Sequence, residues 1–275
     1  MPKKLLTILM GKVASMQLGS FTHAMVRRFV KHYKVDMGEA ADPRIESYAS
    51  FNDFFTRPLR EGARPPWPPR PSSARWTRRS ASSARSSATS CSRPRATATR
   101  RALVGGDQAL AHQFDHGHFA TLYLAPKDYH RIHMPCEGRL KRMIYIPGDL
   151  FSVNPLTARH VPSLFARNER VVCEFECAHG PMVMVLVGAT IVGSMATVWH
   201  GVVNPPRTRA PREWRYDDQQ VVLAKGAEMG RFLLGSTVIM LFPKNVLTFT
   251  PDWATTKPVR LGEAMATVIE TEAAL

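Results

Sequence analysis

Apolar and basic positions interleave over residues 3–35, where Leu5, Leu6, Ile8, Leu9, Val13, Met16, Phe21, Val26, Phe29 and Val30 stand among Lys3, Lys4, Lys12, Arg27, Arg28, Lys31 and Lys34. That spacing predicts one or two amphipathic helices, broken near Gly19 and Ser20. The apolar stripe can pack on the protein's own domain, or it can enter a bilayer's headgroup boundary while the cations meet anionic lipid. Asp42-Pro43 then marks a turn, and Ser50 to Arg57 is an aromatic-rich element that Pro58 ends. From Phe119 the pattern becomes that of strands: Phe119 to Leu124, Arg139 to Ile146, Val171 to Phe175, Val183 to Val187, Thr190 to Val198, Thr237 to Phe242, and Val259 to Ile269 in pieces. Pro147-Gly148-Asp149 and His179-Gly180-Pro181 punctuate them. The fold class expected is α+β, a mostly β core with amphipathic helices at its N-terminal end.

Residues 66–101 break this pattern. They are Pro, Ser, Arg, Ala and Thr without apolar period, the composition of a disordered basic linker. Ten arginines and no acid lie between Arg64 and Arg101, so this stretch carries most of the chain's formal charge of +15 and leaves +5 for the rest. A charge so placed is weak ground for nucleic-acid binding, because only Trp76 is available between Arg70 and Arg101 to stack on a base. A second reading is translation out of frame from a GC-rich gene. Trp76 has the single codon TGG and Thr77 begins AC, so the frame offset by two bases reads GAC, for Asp, across them. One allowed codon choice for Ala74 to Arg85 gives Pro-Val-Asp-Ala-Ala-Val-Ser-Glu-Leu-Gly-Ala in that frame, a sequence of ordinary folded composition.

Cys91, Cys136, Cys173 and Cys177 form no disulfide framework, and the N-terminus lacks a signal peptide's pattern, so a reducing cytoplasmic compartment is expected. The longest apolar run, Met182 to Val198, is interrupted by glycine, serine and threonine, so no membrane span is expected.

The sharpest chemical signal is Lys225 to Ile239, where Gly235-Ser236 interrupts an apolar strand. Such a pair can be a bulge or turn. It can also be a site of backbone self-cleavage: a serine hydroxyl held against the preceding carbonyl forms an ester by N-to-O acyl shift, β-elimination leaves dehydroalanine, and hydrolysis yields a pyruvoyl group. Glycine suits the position before the serine because it tolerates a strained backbone. The second signal is Tyr123 to Gly138, with His130 and His133. Three apart, they share a face on a helical turn but not on a strand. Structural histidines, a metal site and acid–base work are the alternatives, and no third ligand at suitable spacing supports a metal. Cys173, Cys177 and His179 read better as core thiols and a turn than as soft-metal ligands. Phe151 to Pro155 and Trp199-His200-Gly201 resemble pocket-shaping loops. No Gly-x-Ser-x-Gly elbow or phosphate-binding glycine fingerprint is present.

Several ordered motifs resemble bacterial phosphatidylserine decarboxylases along nearly the whole chain outside 66–101: Phe51 to Pro58 (FNDFFTRP) with Glu61 to Pro65 (EGARP), Asp128 to Pro135 (DYHRIHMP), Gly148 to Asn154 (GDLFSVN), Gly188 to Gly193, and Lys225-Gly226 through Leu234-Gly235-Ser236-Thr237. The resemblance implies a carboxy-lyase made as a proenzyme that cuts itself between Gly235 and Ser236. It implies a β chain of residues 1–235 and an α chain of 236–275 that begins with a pyruvoyl cofactor made from Ser236, the two chains remaining together as a heterodimer. By the same resemblance His133 is the base that activates Ser236, His130 is the proton donor of decarboxylation, and no metal takes part. Phosphatidylserine would form a Schiff base with the pyruvoyl ketone, lose CO2 and leave as phosphatidylethanolamine. The expected organisation is a membrane-associating helical region at 1–60 and a β-rich catalytic domain at 61–275. Its expected place is the cytoplasmic face of a bacterial membrane, peripherally bound to anionic lipid, with a homodimer compatible and nucleic acid excluded. One departure stands out. The family carries an Asp in a Pro-Val-Asp-like motif ahead of the two histidines, which orients the base, and here no acid lies between Glu61 and Asp107. An uncleaved, inactive membrane-associated homologue is therefore the alternative.

Overall fold

A computed structural model describes residues 3–64, 75–77, 84–90, 94–190, 194–204, 207–234, 236–251, 253 and 257–269, with backbone alone at 3, 4, 75–77, 84–90, 94–98 and 236. The helices are α1 (Lys3–Ser15), α2 (Ser20–Tyr33), α3 (Phe51–Phe55), α4 (Pro94–Leu103), α5 (Gln108–His112), α6 (Pro155–His160) and α7 (Leu164–Arg167). The strands are β1 (Arg75–Thr77), β2 (Ala84–Ser90), β3 (His118–Leu124), β4 (Arg131–His133), β5 (Gly138–Ile146), β6 (Arg170–Cys177), β7 (Gly180–Val187) and β8 (Ser194–Thr197). They continue as β9 (Gly201–Val202), β10 (Arg212–Arg215), β11 (Val222–Leu223), β12 (Glu228–Leu233), β13 (Ser236–Phe242), β14 (Leu247–Phe249), β15 (Pro258–Val259) and β16 (Ala264–Val268).

The main sheet is antiparallel, in the order β10-β5-β6-β7-β13-β3-β2-β15, with β11 also on β5. Its central strands are apolar on both faces, which is why they read as runs rather than alternations. Met182, Met184 and Leu186 of β7, with Val238, Met240 and Phe242 of β13, face one core. Val183, Val185 and Val187, with Ile239 and Leu241, face another. A four-stranded sheet β4-β12-β8-β9 and a three-stranded sheet β1-β16-β14 supply Ile132, Met195, Phe232, Leu247 and Met265 to the first core. Leu103 of α4, Leu110 of α5 and Leu164 of α7 close the second. Gly230 lets β12 and β8 come together, since a Cβ there would stand 2.4 Å from the Ala196 carbonyl oxygen.

The N-terminal helices make a third core of Ala14, Val26, Tyr48, Phe51, Phe54 and Phe55, joined by Leu234. A capping box starts α3: Ser50 Oγ accepts from the Asp53 N–H at 3.1 Å, and Asp53 Oδ2 accepts from the Ser50 N–H at 3.0 Å. Each of its three buried phenylalanines stabilises the docking by about 1.5–3 kcal/mol. The helix break falls at residues 16–19, as the pattern predicts. Among the described residues no helix is long and apolar enough to cross a membrane.

Two expectations are corrected. The disordered-linker reading of 66–101 does not describe 75–77, 84–90 or 94–101: β1 pairs with β16, β2 pairs with β3 from Arg85↔Tyr123 to Ser90↔His118, and 94–101 belong to α4. Pairing uses backbone N–H and C=O groups that every non-proline residue has, so a sequence without apolar period can still extend a sheet edge. The strand expected over Thr190 to Val198 is shorter, β8 occupying Ser194–Thr197, and residues 191–193 lie outside the described residues.

Candidate active site

Motifs far apart in sequence meet where β12 hands over to β13. Arg131 Nε donates to the Thr56 carbonyl at 2.7 Å, and its Nη1 donates to Glu228 Oε2 at 2.9 Å. Arg57 Nη2 donates to the Lys127 carbonyl at 3.3 Å, while its guanidinium lies 5.0 Å from the centre of the Phe54 ring. The aromatic element at 50–57 is thus tied to the two-histidine segment by arginines of both. β4 pairs with β12 through His133↔Glu228 and Arg131↔Arg231, and the Phe232 N–H donates to the His130 carbonyl at 3.0 Å. β12 belongs to the four-stranded sheet and β13 to the main sheet, so the chain passes from one to the other after Leu233.

That handover is strained. Leu234 takes φ +89°, a conformation costing a non-glycine residue on the order of 1–3 kcal/mol. Its buried side chain is anchored in the N-terminal core, which over-determines the turn. Ser236 opens β13 opposite Leu124, and Thr237 lies between Tyr123 of β3 and Val187 of β7. The candidate Gly235 and the side chain of Ser236 lie outside the described residues.

The segment carrying the histidines is extended, so it does not put them on one face. His130 is fully buried and stacks on Phe55, ring centroids 3.9 Å apart at 21°. Neither ring nitrogen reaches a hydrogen-bond partner of normal geometry. Burial, with the Arg57 charge second, pushes its pKa down to about 3, the carbonyls of Pro126 and Ala125 pulling the other way. Its neighbour Asp128 is buried too. Burial pushes that carboxyl up to about 7 against the Ala125 N–H, which donates to Oδ2 at 2.7 Å. His133 is half-buried and differently held. Nδ1 lies 3.0 Å from the Gly226 carbonyl oxygen and Nε2 lies 2.9 Å from the Tyr129 hydroxyl. A carbonyl only accepts, so the network assigns the neutral ring's proton to Nδ1 and turns the Nε2 lone pair to Tyr129. The Lys225-Gly226 turn is stitched to this strand by Gly226 N–H to Met134 O at 2.8 Å and Met134 N–H to Ala227 O at 2.9 Å.

An apolar cavity of about 570 Å³ lies between the helices and the handover, lined by Met10, Val13, Phe29, Phe55, Pro126 and Leu234 among others, with Arg28 and His32 also in its wall. Cys173 is buried in the main core, and Cys177 sits half-buried at the end of β6. Sequence reasoning missed Leu234, Phe55, Tyr129 and Gly226. All four stand within the motifs quoted above, but nothing in residue type marks a strained φ, a stacking partner or a carbonyl acceptor.

A family profile described as phosphatidylserine decarboxylase matches residues 51–267, and one described as PSD matches residues 1–34. A phosphatidylserine decarboxylase proenzyme of Albidiferax ferrireducens is 60% identical over 283 residues, covering 97% of this chain and 94% of the relative. That of Variovorax paradoxus is 61% identical over 268 residues, covering 96% and 94%. That of Dechloromonas aromatica is 57% identical over 273 residues, again covering 96% and 94%.

Proposed function

The chain belongs to the phosphatidylserine decarboxylase family, a family of carboxy-lyases, and from that premise we propose that it matures by cutting itself between Gly235 and Ser236 and then converts phosphatidylserine to phosphatidylethanolamine and CO2. The observation that carries this reading is Leu234, held at φ +89° at the handover between two sheets directly before the Gly-Ser pair. The scissile Gly235–Ser236 bond lies one residue further on, and breaking it would free the chain to relax at Leu234. The cofactor would be the pyruvoyl group left at residue 236. There it would supply a ketone able to capture the substrate amine and an electron sink for decarboxylation.

The chain's own residues divide the remaining work. His133, its proton on Nδ1 by way of Gly226, would become the base for the Ser236 hydroxyl when the Tyr129 hydroxyl that occupies its Nε2 lone pair turns aside. His130 is kept neutral at rest by burial, so as proton donor to the substrate carbon it would first have to take up a proton and then pass it on. Phe55 stacks over His130 and shields that ring from water, and the neighbouring apolar cavity suits a substrate with acyl chains. Binding would be peripheral, at the cytoplasmic face of an anionic membrane. Leu5, Ile8, Leu9, Met16, Leu18 and Phe21 are exposed along α1, the break after it and the start of α2, a stretch that also carries Lys12, Arg27, Arg28 and Lys31. The β chain (1–235) and α chain (236–275) would stay together, because β13 is the strand between β3 and β7.

A second reading is favoured by one fact of sequence: with no acid between Glu61 and Asp107, the chain could remain an uncleaved, inactive homologue. Intact mass under denaturing conditions decides. Two chains, the smaller about 4 kDa at ~0.11 kDa per residue and blocked at its N-terminus, are expected, and Ser236→Ala should give one chain. A single chain of 30.7 kDa from the unaltered protein would favour the inactive form. Failure to cut after an Asp-containing segment replaces residues 66–101 would sink the cleavage reading.

A further inference from the structure

Cys136, in the turn between β4 and β5, meets Cys177 at the end of β6. The Cys136 thiol donates toward Cys177 Sγ at 3.5 Å, and both side chains are half-buried. Gly138 makes room for them, since a Cβ there would stand 3.0 Å from Cys177 Sγ. Burial, then Cys177, push the Cys136 thiol well up, so it is the proton-bearing partner, while the half-buried Lys225 ammonium lies within electrostatic reach of it. Cys173, four residues before Cys177, is sealed in the core and out of this contact. The same turn reaches the candidate base. Met134, two residues before Cys136, is bonded both ways to the Gly226-Ala227 backbone, and the Gly226 carbonyl holds His133 Nδ1.

We propose that Cys136 and Cys177 are a reversible two-electron oxidation site, a dithiol that hydrogen peroxide converts to an intrachain disulfide beside His133. Cys177, as thiolate, attacks one peroxide oxygen; the S–O bond forms, the O–O bond breaks, and hydroxide leaves and takes up a proton. The sulfur of Cys136 then attacks that sulfenic sulfur, the S–S bond forms, the S–O bond breaks, and a second water leaves with the Cys136 proton. Two thiols and one peroxide give one disulfide and two waters. The sulfurs close by about 1.5 Å to reach bonding distance, which draws the Cys136 turn toward β6 and tugs on the Met134–Gly226 stitching. Both cysteines lie within residues 1–235, so the bridge forms whether or not the chain is cut, and its readouts do not require decarboxylase activity.

The test uses full-length protein, reduced and then treated with stoichiometric hydrogen peroxide. Alkylation and peptide mapping should find Cys136 linked to Cys177, two of the four thiols lost, and full recovery with dithiothreitol. Cys177→Ser should form no link. The His133 imidazole resonance, assigned with His133→Asn, should move on oxidation and return on reduction in the parent and stay put in Cys177→Ser. Thiols that both remain alkylatable, a link through Cys91 instead, or a Cys136–Cys177 link that leaves the His133 resonance unmoved would each overturn the proposal.

Discussion

His130 and His133 are three residues apart, and the fold gives them opposite surroundings. His130 points into the helical side of the molecule, stacked on Phe55, with neither nitrogen paired and its pKa down near 3. His133 points to the Lys225-Gly226 turn, with a carbonyl on one nitrogen and a hydroxyl on the other. One imidazole is tuned by the removal of water and the other by oriented hydrogen bonds, the two means by which a protein sets a histidine's chemistry. The difference arises from the strand: three steps along extended backbone reverse the side chain's direction.

The comparison breaks most sharply if the two rings can be silenced separately. His133→Ala should slow self-cleavage by about 10²–10⁴-fold, the usual worth of a general base, and leave the uncut chain dominant. His130→Ala should cut at a rate within a few-fold of the parent and then fail to release CO2 from phosphatidylserine. Time courses of chain cutting and of CO2 release on the same preparations check both. Equal loss of cutting in the two variants would show that the rings do one job.

A sizeable stability effect should follow from the buried neighbours of the first ring. His130 has a folded pKa of about 3 against an ordinary 6.5, so between those values the unfolded chain binds a proton that the native one refuses, and stability rises with pH. Asp128 does the reverse. Its folded pKa of about 7 against an ordinary 3.8 means the native state keeps a proton that the unfolded state has released, and stability falls as pH rises from about 4 to 7. Each contribution is on the order of a few kcal/mol, and over most of that window they oppose. The parent should therefore be comparatively flat in denaturant midpoint from pH 4 to 6.5. His130→Asn should lose stability as pH rises, and Asp128→Asn should gain it. Parallel curves for all three proteins would remove burial as the cause.

How much of this was legible beforehand follows the same division. Central strands such as Val183–Val187 and Thr237–Phe242 announce themselves by β-branched and apolar runs, and both appear in place. The two histidines and the Gly-Ser pair were visible because their types are chemically marked. The short strands β4 and β12, which decide that His130 and His133 part company, carry Gly230, Arg131, Arg231 and Glu228, and propensity gives no reason to pair them. Their pairing is set by long-range contacts, as are the Phe55 stack and the Cys136–Cys177 contact. The segment 66–101 taught the converse, since β2 shows no apolar period yet pairs with β3 and β15 near the end of the sheet through backbone groups alone.

The finest test of the comparison concerns the second ring alone. Tyr129 donates its hydroxyl to Nε2 of His133, and that lone pair exists only while the ring is neutral, so this hydrogen bond favours the neutral form. Tyr129→Phe removes the donor and keeps most of the ring stack, whose centroids are 5.7 Å apart at 24°. One such bond contributes about 0.5–1.5 kcal/mol to the neutral ring, and its loss favours the protonated one. The acid limb of the self-cleavage rate profile should therefore move to higher pH. The plateau rate should change by no more than about tenfold, because the base itself is intact. His130, on the far side of the strand, should keep its depressed pKa in this variant. A profile that drops uniformly without moving along the pH axis would mean that Tyr129 serves only packing, and that His133 is positioned by Gly226 without the hydroxyl's help.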